Sequence, residues 1–292
     1  MNEQMLWLAG ITLLAATVNG ALGYGFSSIT VPLALLFLSN RILNPALIVV
    51  EVPLNAYVLW VNREAIGGVW RRMMPMIIGL TPGIAVGTAI VAQVSPGWVR
   101  FFTFIVLLPL ILLQAAGYRR PIRSERSATF VFGGALGVLY SVTTISGPPL
   151  VIMLNNQGLA KVEFRAALAL VRLAESSMTA VAYTYAGLFT VTSIALVPWI
   201  VPSILIGVPI GAFIIRRVQA ETFRRICMSF DAWVVGFGLS RLLNELGLVE
   251  GPAAYLVLVT VGLIDLWLLY RFFSAHSPEE PGPLSAARPG SA

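Results

Sequence analysis

Two short segments of this sequence combine glycine, proline and hydroxyl-bearing residues in a pattern suited to holding an anion. They are Gly23-Tyr24-Gly25-Phe26-Ser27-Ser28-Ile29-Thr30-Val31-Pro32 and Ser141-Val142-Thr143-Thr144-Ile145-Ser146-Gly147-Pro148-Pro149. The apolar run after the first covers only residues 29–38, roughly 15 Å as a helix, and the run after the second covers only residues 150–154. Neither is long enough to cross a bilayer alone. A helix starting at Ser27 or Pro148 presents unpaired N–H groups and the positive end of its dipole. That end favours a negative ligand, and proline in the first turn sacrifices no hydrogen bond. The candidate binding residues are therefore Gly23, Tyr24, Gly25, Ser27, Ser28, Thr30, Thr143, Thr144, Ser146, Gly147 and Pro148, with Asn155 and Asn156 just beyond. Glycine and proline also kink ordinary membrane helices. Two such segments at equivalent places are the better pointer to a transport site.

Two carboxylates stand out next. Glu51 and Glu175 each lie inside an apolar stretch, where an ionisable group is a functional hypothesis by default. They are the candidates for coupling transport to protons. Arg172 precedes Glu175 by one helical turn, so local neutralisation competes there. Glu51 has no such neighbour and ranks first. Asp231, Arg241 and Asp265 have no repeat-related counterpart, and Asp231, about one and a half turns from Arg225, reads as structural.

The elements that must position these groups follow from composition. Of the 292 residues 58% are hydrophobic and 11% charged, against about 25% charged in a soluble domain. Apolar stretches of bilayer length at residues 45–61, 73–93, 100–117, 165–186, 194–215, 226–244 and 253–273 alternate with Arg-rich or Gly/Pro loops. The chain reads as an all-α polytopic membrane protein. Residues 5–117 and 128–244 look like two copies of one unit. Gly20-Ala21-Leu22-Gly23 matches Gly134-Ala135-Leu136-Gly137, and Pro32-Leu33 matches Pro149-Leu150. A constant offset then pairs Glu51 with Glu175, Gly83 with Gly207, Gly87 with Gly211 and Arg100 with Arg224.

Each unit is expected to hold a re-entrant helical hairpin and three transmembrane helices. Residues 253–273 add one helix, and residues 274–292 form a polar, disordered cytoplasmic tail. Gly79, Gly83 and Gly87, with Ser203, Gly207 and Gly211, recur every four residues and predict close helix packing between the units.

The loops at 62–72, 117–127 and 216–225 hold three, four and four arginines. Placing them in the cytoplasm puts the N-terminus outside and the C-terminus inside. The two units then enter the membrane from opposite sides, as inverted repeats do in many secondary transporters. The first apolar stretch has no basic region before it and no small-residue cleavage site after it, so it is expected to stay in the fold.

At the broken segments the sequence resembles the TauE/SafE sulfite exporter family of membrane permeases. The residues that carry the likeness are Asn19-Gly20-Ala21-Leu22-Gly23-Tyr24-Gly25-Phe26 with Val31-Pro32-Leu33, and Ser146-Gly147-Pro148-Pro149-Leu150 followed by Lys161-Val162-Glu163-Phe164-Arg165-Ala166. The resemblance implies secondary transport of a sulfur-containing anion, such as sulfite, thiosulfate or a small organosulfonate, across the cell (inner) membrane. Many members carry more glycines where this chain has Tyr24, Phe26, Ser27 and Ser28, which leaves a small organic carboxylate open as substrate.

Other classes find little support. One cysteine (Cys227), one histidine (His276, in the tail) and no GxGD-type motif leave no nucleophile–base pair or ligand set for an enzyme. No metal and no cofactor is expected. The net charge of +6 belongs to the loops and is not a nucleic-acid footprint. There is no GxxxxGK loop, so a membrane subunit of a larger pump would draw ATP energy from another chain. The expected partners are a small anion, the lipid bilayer and protons, with oligomeric state left open.

Overall fold

The computed structural model describes residues 2–22, 25–116, 126–155, 159–218 and 220–275. The described residues are helical throughout, with no strand among them. In chain order the helices are α1 (Asn2–Leu22), α2 (Phe26–Ala34), α3 (Asn40–Val61), α4 (Ile66–Gln93), α5 (Pro96–Ala115) and α6 (Arg126–Thr143). They continue with α7 (Gly147–Asn155), α8 (Lys161–Tyr185), α9 (Val191–Ile194), α10 (Val197–Ile214), α11 (Ala220–Glu245) and α12 (Leu256–Ala275). Seven segments are long and apolar enough to cross a membrane. They contain α1, α3, α4, α5, α9 with α10, α11 and α12.

Three details differ from the sequence expectation. The first apolar stretch, residues 5–18 by composition, continues as helix to Leu22, because the small polar residues Asn19 and Gly20 are compatible with a helix packed against a neighbour. α8 has the length to span, but its charged residues keep it out of the apolar set. The segment 62–72, read as a loop, is mostly helical: α4 starts at Ile66 and carries Arg71 and Arg72 in its first turns. Residues 117–125 and the tail from 276 onward, with their expected arginine cluster and disorder, lie outside the described residues.

The glycine rows do what their spacing requires. α4 packs along α6, and α1 along α10, more extensively than any other pairs. A Cβ at Gly83 would run into the Gly134 carbonyl, and one at Gly211 into the Thr17 carbonyl. Backbone therefore touches backbone along both seams, as small residues permit. The outward faces are apolar: Leu205, Ile206 and Phe213 on α10 and Leu263, Trp267 and Tyr270 on α12 are exposed, which suits lipid and not water. Guanidinium groups lie over aromatic rings near three helix ends, Arg63 on Trp60, Arg217 on Phe213 and Arg271 on Trp267, at 4.5–5.7 Å. These are the snorkelling and ring-stacking contacts of a membrane interface.

α12 is pinned by charge. Arg225 on α11 donates to Asp265 on α12 at 2.9 Å, and Ser229 and Trp233 donate to the same carboxylate at 3.2 and 3.1 Å. Asp265 is fully buried. Arg225 thus pairs across helices and not with Asp231 on its own.

Candidate functional site

The site is built where two helices are interrupted. α1 stops and α2 restarts after Gly25, whose φ of 104° lies in the left-handed region that glycine enters without steric cost. α6 stops at Thr143, and Thr144 takes φ 55°, unusual for a β-branched residue. Its N–H caps the helix end on the Tyr140 carbonyl at 2.6 Å, and its Oγ1 donates to the Thr143 carbonyl at 2.7 Å. The Thr143 hydroxyl donates to the Leu139 carbonyl and accepts from the Ile145 N–H. The remaining carbonyls at this break are claimed from other helices. Asn40 and Asn44 on α3 both donate to the Val142 carbonyl, at 3.0 and 2.7 Å, and the Tyr183 hydroxyl donates to that of Ser141. A broken helix inside a membrane needs such partners.

Beyond the two breaks, α2 and α7 are nine residues each, roughly 13 Å. α2 lies against α1, whereas α7 rests on α5 and α8. Pro32 inside α2 has no N–H to give the Ser28 carbonyl. Pro148 and Pro149 fall in the first turn of α7, where a missing N–H costs nothing.

Both short helices begin with a serine bonded to a buried glutamate. Ser27, second residue of α2, donates its hydroxyl to Oε1 of Glu51 on α3. Ser146, immediately before α7, donates to Oε2 of Glu175 on α8. Both carboxylates are wholly inaccessible to solvent. The Tyr140 hydroxyl, from the last turn of α6, donates to Glu51 Oε2 at 2.6 Å. Arg172 Nη2 lies 3.9 Å from Glu51 Oε1. Asn55, one turn beyond Glu51, donates to the Arg172 carbonyl and the Ser176 hydroxyl, both at 3.4 Å, and ties the α3–α8 crossing together.

The pairing expected from spacing is not the one that forms. Arg172 sits one turn from Glu175 in sequence, but its ion pair is with Glu51 on the facing helix. Side chains on neighbouring helices compete with local i, i+3 geometry, and here the crossing wins. Glu175 keeps one bonded oxygen, and its Oε1 has no hydrogen-bond partner among the described residues.

The other expected residues are distributed as follows. Ser28 is half-buried in the first turn of α2, and Thr30 is buried with Oγ1 unpartnered among the described residues. Thr143, Thr144, Ser146 and Gly147 are all buried at the α6–α7 break. Pro148 and Asn155 open and close α7 by backbone position. Gly23, Tyr24 and Asn156 lie outside the described residues. Sequence reasoning missed Tyr140, Asn40, Asn44 and Tyr183. Tyr140 borders the break and was a readable signal; the asparagines stand in apolar context at residues 40–44 and could also have been weighed. Among the described residues no group of three or more His, Cys, Asp and Glu is placed to hold a metal ion.

Comparison with known proteins bears directly on this arrangement. The sequence matches the family described as Sulfite exporter TauE/SafE over residues 8–237, which takes in both breaks and both glutamates. The chain belongs to the TauE/SafE family. A curated relative, the "Probable sulfite/organosulfonate exporter TauE" of Cupriavidus necator, is 25% identical over 178 residues, covering 60% of this chain and 68% of that protein. No solved structure matches the chain. Family membership and the seven apolar helices make this a multi-pass membrane transporter.

Proposed function

We propose that the protein is a secondary transporter of a small sulfur-containing anion, sulfite or a short organosulfonate, across the cytoplasmic membrane, coupled to protons. The observation that carries this reading is the doubled tip: at each helix break a serine at the start of a short helix meets a buried glutamate. An N-terminus with its free N–H groups suits an anion, and an intramembrane carboxylate suits a proton. The relative's printed name supports the sulfur chemistry.

In this reading residues 5–117 and 128–244 are inverted repeats and residues 253–273 an added helix. The packing pattern supports it: α1 on α10 and α6 on α4 are the same contact once the halves are exchanged. In this reading the N-terminus is outside and the C-terminus cytoplasmic, with the arginine-bearing segments at 62–72 and 216–225 on the cytoplasmic side. The anion is held by Ser27, Ser28, Thr30, Thr143, Thr144, Ser146 and the backbone of Gly25 and Gly147, with Glu51 and Glu175 handling protons.

The test is flux in proteoliposomes holding only this protein, with sulfite, thiosulfate, methanesulfonate, sulfate and acetate, with and without a pH gradient. Saturable, gradient-dependent movement of sulfite or methanesulfonate supports the reading. Movement of acetate alone would assign a carboxylate, and no movement of any anion by folded protein would reject the class. Ser28→Leu and Gly147→Leu are expected to abolish flux while the protein stays folded; normal flux in both removes this site.

A further inference from the structure

Three features of Arg172 bear on what it could bind. Its side chain is only 11% exposed, on α8 at the crossing with α3. Its contact with Glu51 is 3.9 Å, beyond hydrogen-bonding range. Nε is buried without a partner, and among the described residues the guanidinium donates no hydrogen bond. A group with five N–H donors is therefore held in the protein with its donors unspent. The repeat also aligns Arg172 with Ile48, so the pair of tips shares a single guanidinium.

The atom that Arg172 faces is informative. Glu51 Oε1 takes the Ser27 hydroxyl and the approach of Arg172 together, while Oε2 is held separately by Tyr140. Ser27 belongs to the first turn of α2, whose N–H groups at residues 26–28 have no helical acceptor. The position of Oε1 is thus one where a hydroxyl from the first turn of α2 and a guanidinium converge on a single oxygen.

We propose that Arg172 is the residue that binds the transported anion's charge, and that an anion oxygen takes the place Glu51 Oε1 now fills. Glu51 is the counter-ion Arg172 keeps until the anion arrives. Displaced from the guanidinium, a fully buried Glu51 accepts a proton while the Tyr140 hydroxyl continues to hold its Oε2. Guanidinium forks match the oxygens of a sulfonate or sulfite as they do those of other oxyanions. This inference rests on the anion-transport reading above and adds the residue and the exchange.

The experiment is equilibrium binding of sulfite and of methanesulfonate to purified protein in detergent, for wild type and four variants. Arg172→Gln is expected to bind about ten- to a hundredfold more weakly, the range for losing hydrogen bonds to a charged group, and Arg172→Lys to fall between. Glu51→Gln is expected to bind more tightly than wild type, because the internal competitor has lost its charge. Arg172→Gln alone leaves a buried carboxylate and endangers folding, so Arg172→Gln/Glu51→Gln, which removes both charges, is the control; it is expected to fold and not bind. Wild-type affinity in either Arg172→Gln protein, or Glu51→Gln binding no more tightly than wild type, overturns this inference alone. A wild-type protein that binds neither probe overturns the transport reading and this inference with it.

Discussion

Glu51→Gln should uncouple anion movement from the proton gradient, and the size of the effect follows from the charges at the α3–α8 crossing. Glu51 is fully buried, and its negative charge is balanced by Arg172. A monoanion added to that neutral pair leaves one uncompensated negative charge in a medium that tolerates none cheaply. One proton on Glu51 restores neutrality, so one proton travels per anion. A gradient of one pH unit is worth about 1.4 kcal/mol per proton, which sustains an accumulation ratio of about ten. Glutamine cannot take the proton, and the ratio should collapse to about one while downhill flux remains measurable. The assay is the steady-state ratio of labelled methanesulfonate in proteoliposomes, with the membrane potential clamped at zero. Methanesulfonate stays a monoanion across the working pH range, so its own titration does not enter. A ratio of about ten in Glu51→Gln refutes the reasoning. So does a collapse confined to Glu175→Gln, which would move the coupling proton to the other tip.

Other perturbations test the frame around the site. Gly83→Val forces a side chain into the Gly134 carbonyl; the overpacking should cost about 1–3 kcal/mol, read as a lower thermal midpoint in detergent, whereas the exposed Gly67→Ala should not. Asp265→Ala leaves Arg225, with a side chain 3% exposed, without its carboxylate, at about 3–5 kcal/mol. Arg225→Met/Asp265→Leu should recover most of that loss in the same denaturation assay. For orientation, Cys227→Ser protein carrying Arg217→Cys should react with an impermeant maleimide only from the cytoplasmic face, and the same protein carrying Glu250→Cys only from the outside.

The legible parts of this protein were those written locally. Gly25 and the Gly147-Pro148-Pro149 run mark the breaks because only certain residues tolerate those backbone positions, and Glu51 and Glu175 stand out against hydrocarbon-loving neighbours. The glycine rows gave close packing because a missing side chain has one main use in a helix face. What stayed hidden depended on which helices face each other. Arg172 carries the right chemistry one turn from Glu175, and no spacing rule could say that α3 would offer it Glu51 instead. Tyr140 borders the break in sequence, but its hydroxyl gains meaning only when Glu51 arrives from a helix 89 residues away in sequence. Asn40 and Asn44 likewise serve one carbonyl, that of Val142, which needs partners only because α6 ends where it does.

The two backbone seams set the mechanics of whatever motion moves the anion. An interface of long side chains can slide, because rotamers give way; carbonyl pressed against Cα has nothing to give. α1 is joined to α10 in this manner and α4 to α6, so each stiff piece takes one helix from either half of the chain. In the proposed transport cycle the moving bodies would be hybrids, with neither half of the sequence travelling as a unit. Freedom is left at the less tightly fitted crossing of α3 and α8, where Glu51 faces Arg172 and a shift of a few ångströms would decide which of them the anion meets.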